Sequence, residues 1–95
     1  MTKEEMAAWA AQLSVKAARA RSWSRSLQAE VARVAREVAE TEDAMAATME
    51  RLAAQHPRYA ERFRDLGRAA REHAALERRL RREYLGALAR NDSAG

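Results

Sequence analysis

Cysteine is absent from this chain of 95 residues, so neither a disulfide nor a thiolate metal site can hold its fold together. Isoleucine is absent as well, aromatic residues make up 5%, and no run approaches the roughly 20 consecutive apolar residues of a membrane-spanning helix. No glycine occurs before Gly67, and the one proline is Pro57. No glycine or proline therefore interrupts a helix ahead of Pro57. Catalytic signatures are missing too: there is no glycine-rich phosphate loop, HExxH, GxSxG or zinc-finger spacing, and no pair of carboxylates set for acid/base work. These absences argue against an enzyme, and no catalytic residue, metal site or cofactor is expected.

What is present favours helix. Alanine occurs 24 times and leucine only 8 times. Alanine has the highest helix propensity but buries little area, so a single chain of this size builds a thin core and gains by oligomerising. Abundant alanine and arginine with only two lysines, Lys3 and Lys16, suit a bacterial genome of high GC content. Glu4 and Glu5 stand ahead of the apolar stretch 6–15, where a secretory leader would carry basic residues. The chain is accordingly read as cytoplasmic, with no membrane span.

Pro57 organises the chain. Its ring clashes with the carbonyl four residues back and drives its predecessor out of the α region, yet suits the first turn of a new helix. Thr2 and Glu5 form a capping-box pair that starts helix 1. The expected single domain, all-α, has helix 1 over about 3–55, a turn at 55–57, helix 2 over about 57–90 and a disordered tail at 91–95. Serines at 22, 24 and 26 could break helix 1, and the alternative is then a three-helix bundle.

A seven-residue repeat runs along helix 1 for about seven heptads, through Ala10, Ala17, Ser24, Val31, Val38, Met45 and Leu52 and through Met6, Leu13, Ala20, Leu27, Val34, Thr41 and Thr48. This is a coiled-coil seam. A second apolar stripe, Ala8, Ala11, Val15, Ala18, Ser22, Ala29, Ala32 and Ala39, lies on another side. Helix 2 carries Tyr59, Phe63, Leu66, Ala70, His73, Glu77, Leu80 and Tyr84.

Charge favours a fold-back at Pro57 over a kink. Residues 30–50 hold six acids against two arginines, net −4, whereas residues 66–90 hold seven arginines against three glutamates, net +4. An antiparallel hairpin sets these stretches side by side and places Gly67 opposite Ala46 and Ala47. The second arm is shorter and covers helix 1 only back to about Trp23. Met6, Trp9 and Leu13 then lack a partner, and with Trp23 and Leu27 they are the expected interface residues of a homodimer forming a four-helix assembly.

Three clusters invite sharper readings. Lys16, Arg19, Arg21 and Arg25 lie in a stretch, 6–29, without any acid, so they could contact phosphates of a nucleic acid or another polyanion; packing of their stems beside a seam is the plainer reading. Arg78, Arg79, Arg81 and Arg82 form a second basic cluster, expected to face Glu37 and Glu30. His73 and Glu77 share a helix face near Thr41, and are read as a polar core layer that fixes register. The functional expectation is a non-enzymatic protein–protein interaction module, a scaffold, adaptor or regulator that self-associates and packs a partner helix. The alternative is a small basic nucleic-acid-binding protein using 16–25 and the helix 2 arginines.

Overall fold

The computed structural model describes residues 1–94; Gly95, the end of the expected tail, lies outside the described residues. Two helices, α1 (Lys3–Gln55) and α2 (Ala60–Ala94), are joined by one 3₁₀ turn, Pro57–Tyr59. No strand occurs among the described residues. The rod measures 82 × 19 × 14 Å, the length of α1 by the thickness of a helix pair.

Each boundary has a local cause. The Thr2 hydroxyl oxygen accepts the Glu5 amide at 3.1 Å, satisfying one of the orphan donors of the first turn. At the other end His56, at φ −128° and ψ 79°, leaves the helix as a residue before proline must, while its amide still donates to Leu52 O at 2.9 Å. The Tyr59 amide donates to His56 O at 3.0 Å, and the His56 ring lies 6.2 Å from that of Phe63 across the turn. Proline at the start of the turn removes an amide that had no partner anyway.

Two expectations are corrected here. Helix α1 runs unbroken through Ser22–Ser26, so the three-helix alternative does not form. The serines are weak helix formers, yet one break would forfeit hydrogen bonds on both sides and pay a second nucleation. The expected tail is helical as far as Ala94. Asn91 Nδ2 donates to Gln28 Oε1 at 3.3 Å and Arg25 pairs with Asp92 at 3.4 Å, which ties the last turn of α2 to α1.

The seam between the helices is made of the smallest side chains. Ala32, Ala35, Ala39, Ala46 and Ala53 of α1 are buried against Ala60, Ala70 and Ala74 of α2, with Gly67 buried among them. No large side chain is fully buried. The helices thus meet along the stripe that contains Ala32 and Ala39, not along the row of Val34, Val38 and Met45, which stays exposed. Each of those larger residues lies one or two positions from a seam alanine, about 100° or more around the helix. The physical reason is contact distance: alanine facing alanine or glycine lets two helices approach closely and gain dispersion contacts along their full overlap. One buried methyl contributes only roughly 0.8 kcal/mol, so this core is thin for its length.

Gly67 sits in the seam against Ala46 and Met49. A Cβ added there would lie 3.4 Å from Met49 Cβ and 3.5 Å from Ala46 O, which is ordinary van der Waals contact. Gly67→Ala therefore fits, and removing a mid-helix glycine raises stability by up to about 1 kcal/mol. Urea denaturation of the two chains checks this; a loss of stability would mean that the helices lie closer than the geometry indicates.

Candidate interaction surface

Around the alanine seam the hairpin has two unlike flanks. In an antiparallel pair, positions four after the series Ala32, Ala39, Ala46 of α1 and Ala60, Gly67, Ala74 of α2 line one flank, and positions one before them line the other. The first flank is ionic. Arg71 Nε of α2 donates to Glu50 Oε1 of α1 at 2.8 Å and its Nη1 stands 3.7 Å from Asp43, while Arg78 also bonds Asp43. The Arg78 hydrogen bond, with the charges of Arg78 and Arg71, holds the Asp43 carboxyl below its ordinary range; Arg71 does the same to Glu50.

The sign of the pH effect follows. Both carboxyls take up a proton less readily when folded, so their contribution to stability is complete above the ordinary values of 3.8 and 4.5 and is lost as pH falls through the depressed ones. The melting temperature should therefore drop as the pH is lowered from about 6 to about 2, and Asp43→Asn should flatten the curve. An unchanged curve in the variant would deny the bridge its role.

Further along the same flank, Arg36, Ala39, Glu40, Arg78, Arg81 and Arg82 line a shallow cleft of about 270 Å³. The expected opposition of this arginine cluster to Glu37 and Glu30 is not found. Those acids pair within α1 instead, both with Arg33, at 2.6 Å for Glu37. Helical neighbours three and four apart are always in reach, so the local pair forms first.

The second flank is apolar. Val34, Val38 and Met45 of α1 and Tyr59 and Leu66 of α2 are exposed along it, with Val31, Leu52 and Leu80 half-buried. On α1 the row continues past the end of α2. Every residue from Met1 to Leu27 is exposed, and α2 makes its last side-chain tie to Arg25. The expected interface residues therefore stand open: Trp23 is 71% exposed, Trp9 57%, Met6 55%, Leu27 50% and Leu13 45%. Val34, Val38 and Met45 belong with them. Their heptad spacing was legible, but it was assigned to the inner seam.

The basic residues separate. Lys16, Arg19 and Arg21 are exposed on the unpartnered arm, while Arg25 is engaged by Asp92. No group of three or more His, Asp or Glu side chains is placed to hold a metal among the described residues. None of the described helices is long and apolar enough to cross a membrane.

The polar core layer of Thr41, His73 and Glu77 does not assemble. Thr41 is exposed and its hydroxyl donates to Glu37 O at 3.0 Å within its own helix. The His73 side chain is 68% exposed, its Nδ1 3.9 Å from Glu42 Oε1, and Glu77 is half-buried. With the seam on the alanines, these residues lie at its edge and not in the core. No known family, curated protein or solved structure matches this chain. Its functional reading rests on the surface just described.

Proposed function

We propose that the protein is a non-enzymatic helical interaction module, a scaffold, adaptor or regulator that self-associates through α1 and packs a partner helix. One observation carries this reading: large apolar side chains between Met6 and Met45, among them Leu13, Leu27, Val34 and Val38, are exposed while only alanine and glycine are buried outright in the chain's own seam. Apolar matter at heptad spacing over that length is a helix-binding surface, and tryptophan is the residue type most enriched at binding hot spots. Sedimentation over a range of concentrations tests it. The expected result is a concentration-dependent dimer; a folded monomer at all concentrations would overturn self-association.

A second reading, a small basic nucleic-acid-binding protein, is favoured by the acid-free stretch 6–29, with Lys16, Arg19 and Arg21 exposed on the free arm and without an ion pair among the described residues, and by the arginine-lined cleft. If those three cations contact phosphates, binding to a DNA or RNA duplex weakens with a log–log salt slope of about −3. Titration of duplexes at several salt concentrations should show no such slope if the arm serves only to bind helices.

A further inference from the structure

The open row on α1 also indicates what covers it. Resting on the self-association proposed above, we infer that the occupant is a second copy of this chain, with the two α1 helices antiparallel about a two-fold axis near Ala29. That residue is the midpoint of Lys3–Gln55, so the arrangement gives full overlap of the two long helices.

Three features of the chain converge on it. The first is charge. Residues 6–29 carry four cations and no acid, while residues 30–50 carry net −4. Antiparallel pairing sets each half against its opposite, whereas parallel pairing stacks Lys16, Arg19, Arg21 and Arg25 on their own copies. The α2 arginines that already answer part of the acidic half, Arg71 and Arg78, sit on the ionic flank with Asp43 and Glu50. On the other side Glu30 and Glu37 share the single cation Arg33, and Glu42 faces only His73, at 3.9 Å.

The second is size. Full antiparallel overlap places Met6 opposite Leu52 of the second copy, Leu13 opposite Met45 and Leu27 opposite Val31. Val34 and Val38 meet the small Ser24 and Ala20. Large residues thus face large ones near the ends and centre, large ones face small ones at Val34 and Val38, and Ala10 and Ala17 lie opposite Thr48 and Thr41.

The third is reach. α2 covers α1 only from about Arg25 onward, so about an axis near Ala29 the free arm 3–24 of one copy lines up with 34–55 of the other, where the hairpin's apolar flank is open. The arm of one copy lies along the apolar flank of the other, between the α1 row of Val34, Val38 and Met45 and the α2 residues Tyr59 and Leu66. The assembly has four helices in all, three in cross-section towards each end and four where the two α2 helices overlap around the axis.

Distance measurement between spin labels tests the geometry. With no native cysteine, Gln12→Cys provides one labelling site on the exposed arm. The antiparallel dimer puts the two labels 34 residues apart along the helix axis, about 50 Å. A parallel dimer puts them about 10–20 Å apart and overturns the geometry while leaving self-association intact. A monomer at labelling concentration overturns both. As a second readout, mixing Leu13→Cys with Met45→Cys under mild oxidation should give the mixed disulfide in excess of either homodimer; homodimeric crosslinks alone would again overturn antiparallel pairing.

Discussion

Ala46→Leu lowers the stability of the hairpin by about 2 kcal/mol, within the range for overpacking a filled site, and the melting temperature by roughly 10 °C for a domain of this size. Ala46 has no exposed surface, and its carbonyl lies 3.5 Å from the position that a Cβ on Gly67 would occupy. Three further carbon atoms cannot be placed there without moving α2 outward. Because the seam is a line of alanines, moving α2 at one point loosens contacts at Ala39 and Ala53 as well. Met45→Leu is the matched control: it is the adjacent residue, 47% exposed, and changes the monomer little. Circular dichroism melts at low micromolar concentration compare the three chains. Should Ala46→Leu melt like the parent while Met45→Leu shifts, α2 would be docked on the row of large residues and the alanine seam would be wrong.

The second large effect concerns association. Leu13→Glu combined with Leu27→Glu should weaken the dimer by at least about 100-fold, because full burial of one leucine side chain stabilises by roughly 1.5–3 kcal/mol and two are lost from each copy. Both side chains are half exposed within one chain and neither lies in the alanine seam, so the hairpin itself is expected to keep its helicity. Sedimentation gives the dissociation constant and circular dichroism the helix content. A dimer of unchanged strength would place self-association elsewhere, with the ionic flank the next surface to probe. Loss of helicity together with loss of the dimer would instead mean that α1 is held straight by its partner.

Much of the architecture could be read from single residues. Pro57 located the turn, since proline removes an amide and displaces its predecessor wherever it stands, and His56 shows that displacement. Thr2 and Glu5 located the start of α1 because a cap depends on residues three apart and nothing more. The opposite charges of 30–50 and 66–90 pointed to the fold-back, and Arg71 and Arg78 reach Asp43 and Glu50 as that reading requires. The end of α2 was less legible: Asn91 and Asp92 are turn formers by propensity, and their side chains reach Gln28 and Arg25, distant in the chain.

The candidate surface was half legible. Met6, Trp9 and Leu13 could be identified as unpartnered from the unequal arms alone, whereas the exposure of Trp23 and Leu27, which α2 was expected to reach, depends on which face of α1 meets α2. The polar layer at His73 could not be judged in the same way, because its position depends on which face of α1 meets α2.

That choice of face separates what the sequence determined from what the tertiary structure decided. Helix content, the site of the turn, the antiparallel sense and the overhang of α1 all follow from local chemistry, charge and length, which are properties of the chain read in order. The identity of the inner seam does not. Helix α1 carries two stripes at heptad spacing, one of alanine and one of larger residues, and periodicity gives both the same standing. The tertiary structure selected the alanines because α2 offers Ala60, Gly67, Ala70 and Ala74 in register with them, and small surfaces pack closest against small ones. The larger side chains from Met6 to Met45 are left facing outward as the surface for a second helix.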